Sequence, residues 1–194
     1  MIFFLIFPYT QGLQRGGETI LVDWLGFKPS GWCHAPLGGF DSHSLPPSHR
    51  ATMQICNLDF PDTLHYHIEH QVWARCDAGD HITVGITAMG IQVAGEIYMC
   101  RPKPVGTVVE ACKSIAVVEL AKSIVSVKSP LHGTVLEINP RLAQEPELVH
   151  RDPYGEGWIA RLQATDWAND SAQLLQGEAL IPAMEHYAWL NLIE

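Results

Sequence analysis

Basic residues are scarce in this sequence. Lysine and arginine together number 12 in 194 residues, against 21 aspartates and glutamates, so the formal net charge is −9. A surface with this charge repels phosphate backbones, which argues against nucleic acid as a partner. Long apolar runs are missing as well: residues 1–7 are apolar, but they lack a basic flank and meet Pro8 at once. This segment is too short to span a bilayer and does not fit a secretory signal, so we expect no membrane association.

Paired cysteines are missing too. The five cysteines are odd in number and widely spaced, and none forms a Cys-x-x-Cys motif: Cys33, Cys56, Cys76, Cys100 and Cys112. This pattern excludes a disulfide framework, a zinc knuckle and a thioredoxin-like motif. We therefore expect a cytoplasmic protein.

Composition divides the chain into three segments. Residues 1–53 are rich in Gly, Pro, Ser and His and have poor hydrophobic periodicity, which predicts a poorly structured extension. Residues 54–168 contain short apolar runs between turn residues, and residues 169–194 turn helical in pattern. We predict a mainly β domain over 54–168 and a C-terminal helical segment that packs on it.

Seven strand-like runs lie close together in the central segment. Spacing this dense predicts an all-β barrel or sandwich. A short helix is expected between Thr87 and Gly95. Beyond the β segment, Asp170 is placed to cap a helix over 171–177, and Pro182 suits the first turn of a final helix that ends near Leu192. In that final helix we expect Met184, Tyr187 and Leu190 to pack on the β body. The strand predictions cover 72–75, 81–86, 96–99, 114–120, 123–127, 133–138 and 158–162.

The pattern over 114–128 predicts a β-hairpin with Lys122 at its tip. A two-residue turn at Ala121 and Lys122 pairs Leu120 with Ser123. The same register pairs Val118 with Val125 and Ala116 with Val127, which makes one face almost wholly apolar. Ala-Lys is not the dipeptide that a primed turn prefers, so either another turn type is used or the turn is strained.

Three motifs around and beyond this hairpin resemble glycine-cleavage H proteins. The lipoyl-attachment region of that family resembles 117–123 (VVELAKS) followed by 129–135 (SPLHGTV), and 83–87 (TVGIT) looks like its second strand. A third motif is the pair 145–149 (EPELV) and 152–158 (DPYGEGW). Because three separate motifs occur in the family's order, the chain is identified as a member of this family.

The resemblance implies a barrel-sandwich hybrid fold, like a lipoyl domain, with flanking and C-terminal helices. Lys122 matches the lysine that carries lipoate through an amide, and Glu119 matches an acid that a lipoate ligase or lipoyl transferase would recognise. Biotin is the neighbouring possibility, but a biotinylated lysine usually sits between two methionines. The resemblance implies a non-catalytic carrier, which agrees with the lack of any candidate catalytic residues in the spacing.

Departures from the family pattern bear on the cargo. The chain reads EHQVW over 69–73 where the family usually reads Glu-His-Glu-Trp, Leu120 and Ala121 precede the lysine, and Cys112 stands in a turn that often holds Gly. These features resemble lipoate-binding proteins that work with heterodisulfide-reductase-like complexes in bacterial sulfur oxidation. We prefer that role at this point. The alternatives are a glycine-cleavage carrier of the aminomethyl group, serving a decarboxylase, a methyltransferase and dihydrolipoyl dehydrogenase, and an unmodified regulatory module.

Two other features attract attention as possible sites. His65, His67 and His70 form a His-x-His-x-x-His string, but no cysteine or carboxylate completes a ligand set at usual spacing, so no metal ligands are assigned. Cys112 is a candidate for a mixed disulfide with the lipoyl arm. The favoured interpretation is a small, buried or half-buried side chain.

Overall fold

The computed structural model describes residues 52–193, and over this range the chain is mainly β. Eleven strands and four α-helices form here, joined by turns and short 3-10 segments. The strands are β1 (Thr52–Ile55), β2 (Leu58–Pro61), β3 (His65–His67), β4 (Val72–Cys76), β5 (His81–Ile86), β6 (Ile97–Pro102), β7 (Val108–Val109), β8 (Ser114–Leu120), β9 (Ile124–Lys128), β10 (Gly133–Ile138) and β11 (Ala160–Ala164). The helices are α1 (Ala88–Ala94), α2 (Leu148–Arg151), α3 (Trp167–Ser171) and α4 (Leu180–Leu190).

The described strands form three antiparallel sheets. The largest has the order β3-β4-β5-β11-β10-β7, a second has the order β6-β8-β9, and β1 pairs with β2 in a separate hairpin. Strands of the two larger sheets contribute to one buried cluster, which includes Val84 and Leu162 from the first sheet and Val118 and Val127 from the second. Packing of these sheets on a shared apolar core stabilises the folded state by about 25 cal/mol for each Å² of apolar surface removed from water.

The seven predicted strands are all present. They could be predicted because each consists mainly of apolar residues between turn-forming residues. Each lies within two residues of its predicted bounds except β6, which ends three residues later than predicted, and 81–86, 114–120 and 133–138 agree fully with β5, β8 and β10. Strands β1, β2, β3 and β7 were missed, since each is four residues or shorter. Strand β1 begins at Thr52, so the last two residues assigned to the extension belong to a hairpin. The rest of that extension lies outside the described residues.

Helix α1 confirms the short helix expected between Thr87 and Gly95. The Thr87 hydroxyl accepts a hydrogen bond from the Gly90 backbone N–H, which satisfies one of the free donors of the first turn. Gly95 ends the helix with a φ of 81°, a value that suits glycine.

A second buried cluster lies between the β1–β2 hairpin, helix α4 and one part of the large sheet. Trp73 is fully buried in it, and its indole N–H is shared between the carbonyls of Ile86 and Pro153. The ring lies so close to Gly85 that a Cβ there would fall 2.7 Å from it. Glycine in the neighbouring strand is therefore what allows Trp73 to occupy this position.

Two predictions for the C-terminal segment need correction. Asp170 does not cap a following helix; Asp166 caps α3, and Asp170 is buried, where it accepts hydrogen bonds from the backbone N–H of His132 and approaches its Nδ1 at 2.8 Å. Burying a carboxylate without hydrogen-bond partners costs more free energy than leaving a helix end uncapped, so the interaction with His132 determines the position of Asp170.

The final helix does pack on the β body, with Met184 buried and Tyr187 half-buried. Leu190, however, is 59% exposed, and Leu180 and Ala188 are buried instead. The helix thus presents a face rotated from the one expected. Across residues 52–193, none of the helices combines the length and apolar character needed to cross a membrane.

Candidate functional site

The hairpin of β8 and β9 has the register that the sequence predicts. Val118 pairs with Val125 and Ala116 with Val127, and the Leu120 N–H donates to the Ser123 carbonyl at 2.9 Å. Ala121 and Lys122 are therefore the two residues of the turn. Because a one-residue slip would exchange the two faces of both strands, this pairing fixes the position of Lys122 at the tip.

The turn itself is not strained. Neither Ala121 nor Lys122 is among the described residues with positive φ, so the turn is not of the primed type that favours Asn-Gly. Of the two possibilities left open by the sequence, a different turn type is the one adopted.

The hairpin is buried at its base and exposed at its tip. Ala116, Val118 and Val127 lie in the core as predicted, but Val125 is 44% exposed although it lies on the same face. On the opposite face, a register shift between Ser114 and Ala116 turns Ile115 into the core. Strand β8 is therefore anchored in the core as far as Val118, and Leu120 packs against the same core. The turn and the start of β9 are exposed and form the tip of the hairpin.

Lys122 and Glu119 are both exposed at the tip of the hairpin. Neither side chain makes a hydrogen bond or an ion pair with any residue in the described range 52–193. Glu119 pairs across the ladder with Ile124, whose side chain is 72% exposed. The tip thus presents a free ammonium, a free carboxylate and an exposed apolar side chain together.

A cleft of about 540 Å³ runs beside the hairpin. It is bounded by β8 and β9 on one side, by α1 on another, and by the turn before β4 together with Tyr187 of α4. Its lining is mainly apolar near the hairpin tip and carries charged and imidazole groups near the base. The lining residues are Glu69, His70, Gln71, Ile86, Gly90, Val93, Ala94, Ile97, Val118, Leu120, Ser123, Val125, Ser126, Val127, Lys128 and Tyr187.

Gln71 organises one wall of this cleft, a role that the sequence did not reveal. Its Oε1 accepts a hydrogen bond from the Thr87 hydroxyl, and its Nε2 donates to the Ile68 carbonyl at 2.8 Å. Its backbone carbonyl also accepts from the Thr87 N–H. Gly90 lets helix α1 approach closely, because a Cβ there would fall 2.7 Å from that of Gln71. These contacts join the start of α1 to the turn before β4.

The histidine string separates into two environments. His65 packs edge-on against Trp167, whereas His67 stacks on His70 with ring centroids 4.4 Å apart. The pKa of His67 is lowered because its ring is partly buried and because His70 lies beside it.

Cys112 lies next to His67 and not near Lys122. Its Sγ is 3.7 Å from His67 Nε2, and the residue is exposed, so the expectation of a buried or half-buried side chain is wrong. At about 3.3 Å per residue, β8 from Ser114 to Leu120 runs for about 20 Å. Cys112 and Lys122 therefore lie at opposite ends of the hairpin, which argues against a mixed disulfide between Cys112 and an arm extended from the tip.

Comparison with known proteins agrees with this arrangement. The sequence profile of the family described as Glycine cleavage H-protein matches residues 64–187. The chain belongs to the glycine cleavage H-protein family. It is 38% identical over 127 residues to "Glycine cleavage system H protein 2" of Aquifex aeolicus, an alignment that covers 66% of this chain and 79% of the relative. It is also 38% identical over 122 residues to "Glycine cleavage system H protein" of Bacteroides thetaiotaomicron, covering 63% of this chain and 94% of the relative.

A solved structure has the same fold. The glycine cleavage system H protein of Mycobacterium marinum superposes with a TM-score of 0.55 at 26% sequence identity, covering 68% of this chain and 98% of that one. The predicted barrel-sandwich hybrid is thereby confirmed. Members of the family are non-catalytic carriers with lipoate attached covalently to a lysine, so the predictions of a carrier rather than an enzyme, and of lipoate as its cofactor, are confirmed as well.

The conformation of the hairpin turn can be tested with two glycine substitutions. Ala121→Gly is expected to destabilise the protein by about 0.5–1 kcal/mol, because glycine adds freedom to the unfolded chain and relieves no strain. Cys112, in the turn before β8, is the comparison, because its φ of 60° is known to be positive. Cys112→Gly is therefore expected to be neutral or to stabilise the protein by up to about 1 kcal/mol. Urea unfolding in the presence of a chelator measures both. Stabilisation by Ala121→Gly would show that the turn uses positive φ.

Proposed function

We propose that this chain is the lipoyl carrier of a glycine cleavage system, and that its lipoyl group is attached to Lys122. The observation that carries the proposal is the position of this lysine. It stands exposed at the unstrained tip of a hairpin whose first strand, β8, is anchored in the core. Its side chain has no partner within residues 52–193, so a modifying enzyme reaches the ε-amine without breaking any interaction.

The other lysines of the described range are less suitable. Lys128 is half-buried at the base of the hairpin, where it lines the cleft. Lys113 is exposed, but its carbonyl accepts from the Ser129 N–H at 2.7 Å, which ties it to the base of the hairpin. Lys103 is half-buried, and its N–H donates to the Ile115 carbonyl. Each would display a prosthetic arm close to the protein body.

The cleft supports the assignment of lipoate as the attached group. It begins at Leu120 and Ser123, next to Lys122, and continues past Val93 and Ile97, so its upper part offers apolar surface to a chain of methylenes. When bound, lipoate supplies a flexible arm whose dithiolane sulfurs exchange between disulfide, reduced and loaded forms. The chain itself displays the arm at the hairpin tip and provides the cleft that shelters it from water.

Glu119 is proposed as a recognition residue for the lipoate ligase or lipoyl transferase. Its carboxylate is exposed three residues before Lys122, and beside it lies the exposed side chain of Ile124. A free charge next to an apolar side chain provides both steering and contact area for an enzyme that must bind the hairpin tip.

The relatives favour glycine cleavage over sulfur oxidation as the system served. Both curated relatives described above and the Mycobacterium marinum structure carry a glycine cleavage name, whereas none of the comparisons supports a heterodisulfide-reductase-like partner. The departures around Trp73 and before Lys122 leave the fold and the hairpin intact, so they do not argue for another cargo. We therefore infer that the partners are glycine cleavage enzymes, with dihydrolipoyl dehydrogenase reoxidising the arm.

The attachment site can be tested by intact mass and peptide mapping of the protein from its own host, with lipoate available. The wild-type chain is expected to gain one lipoyl group on the peptide that holds Lys122, and Lys122→Arg is expected to gain none. Lys113→Arg and Lys128→Arg are matched controls that should remain fully modified.

Modification at Lys128 in the wild type would contradict the assignment of the site. A wild-type chain that stays unmodified, while another lipoyl protein of the same cells is modified, would instead favour a regulatory module without a prosthetic arm.

The role of Glu119 can be tested by the rate at which a purified lipoate ligase or lipoyl transferase modifies the chain. Glu119→Gln keeps the shape and removes the charge, so it is expected to slow modification about tenfold, the equivalent of one charge-assisted contact. Glu110→Gln, at another exposed acid in the turn before β8, is the control and should have no effect. Equal rates for the two variants would show that Glu119 is only a surface residue.

A further inference from the structure

Three metal-ligating side chains from separate parts of the chain meet near the base of the hairpin. His67 ends β3, His70 lies in the turn before β4, and Cys112 lies in the turn before β8. One possible ligand atom from each lies within 4.8 Å of the other two. No role in the carrier function described above uses this group.

The spacing of these atoms is close to that of a zinc site. Zn–S and Zn–N bonds of about 2.3 Å and 2.0 Å at a tetrahedral angle place sulfur and nitrogen about 3.5 Å apart. The distance from Cys112 Sγ to His67 Nε2 is 3.7 Å. Two imidazole nitrogens on one Zn²⁺ lie about 3.3 Å apart. The ligand atoms of His67 and His70 lie within 4.8 Å of each other, so the His70 ring adjusts to bring its nitrogen to the ion.

The two imidazoles are free to make this adjustment. Their rings are stacked within 6° of parallel, so one ring must also tilt out of the stack for both nitrogens to point at one ion. Both residues are only partly buried, which leaves room for this movement. The Nδ1 atom of His67 accepts from the His70 backbone N–H at 3.4 Å, which is a long and weak hydrogen bond. Coordination through Nε2 moves the ring proton to Nδ1 and gives up this contact at small cost.

Cys112 occupies a position that would suit glycine better. Its φ of 60° costs a residue with a Cβ about 1–2 kcal/mol. The backbone is firmly held there, since the Cys112 N–H donates to the Ser129 carbonyl at 2.8 Å. The thiol is therefore kept at a fixed, exposed point beside His67 in spite of backbone strain.

We propose that His67, His70 and Cys112 bind one Zn²⁺ ion. One thiolate and two neutral imidazoles are a ligand set of the kind that Zn²⁺ accepts, and three protein ligands leave a fourth position open, which solvent reaches on the exposed side of Cys112. On binding, Cys112 loses its proton to solvent and the sulfur–metal bond forms. Because His70 also lines the cleft, the site lies at the end of the cleft away from Lys122.

Cobalt is the direct probe of this site, because Co²⁺ replaces Zn²⁺ and a thiolate–Co²⁺ bond gives a charge-transfer absorption in the near ultraviolet. The titration uses the full chain with Lys122→Arg, so that no lipoyl thiol contributes, under a non-thiol reductant. We expect one Co²⁺ per chain with a thiolate band that Zn²⁺ abolishes. The test does not depend on the carrier function, because the chain carries no arm.

Variants identify the ligands. Cys112→Ser and Cys112→Gly are expected to abolish the thiolate band. His67→Gln or His70→Gln is expected to weaken Zn²⁺ binding more than about 100-fold, beyond the usual cost of losing a residue that only orients a metal ligand. The exposed Cys76→Ser and His186→Gln are matched controls that should bind normally. Cys33→Ser tests whether the cysteine outside residues 52–193 supplies the thiolate, and this variant should also bind normally.

Circular dichroism shows whether each variant is folded, and Cys112→Gly is the variant that relieves backbone strain. Loss of the band in folded Cys112→Gly, together with full binding by the three controls, supports the site. A Lys122→Arg chain without a thiolate band, or a band that persists when Cys112→Gly is added to it, would overturn the proposal.

Discussion

The cross-strand pairing of β8 with β9 is the constraint on which the functional arrangement depends. Val118 against Val125 sets the register, and the register leaves Ala121 and Lys122 as the turn. Burial of Ala116, Val118 and Val127 holds the hairpin to the core, while the turn and the start of β9 are exposed. The lysine is therefore held at a fixed point at the tip, with no hydrogen bond or ion pair from its side chain to residues 52–193. A carrier needs this combination of a rigid support and a free attachment point.

The parts of the structure that depend on local pattern were predictable from the sequence. Strand β8 and the register of its hairpin follow from the period-2 alternation of apolar residues, and α1 follows from Thr87 and Gly95 at its two ends. The failures involve partners that are distant in sequence. Asp170 has the residue type of a helix cap, but a buried interaction with His132 determines its place. Leu190 has helical spacing, but the packing of α4 turns Leu180 and Ala188 inward instead.

The same distinction separates the two sites. Lys122, the attachment site that we propose, could be singled out from sequence because the turn, both strands and the flanking motif are contiguous. The zinc site that we propose could not, because His67 and Cys112 are 45 residues apart and only the fold brings them together. A histidine string with no cysteine or carboxylate at the usual ligand spacing gave no reason to assign a metal. The positive φ of Cys112 is a property of the backbone that residue types do not reveal.

Carrier function rests finally on what the arm accepts. The most direct measurement starts from the lipoylated chain, which is first reduced and then reoxidised so that every arm is in the disulfide form. This chain is incubated with glycine and a purified glycine cleavage decarboxylase, and the mass of the peptide that holds Lys122 is followed. A glycine-dependent gain of one aminomethyl group on that peptide is the predicted result. The oxidised chain would gain nothing with glycine if the role were sulfur oxidation, whereas a thiol of the reduced chain would accept a sulfur atom as the sulfur–sulfur bond of a sulfane-sulfur donor breaks. These two results together would contradict the glycine cleavage role.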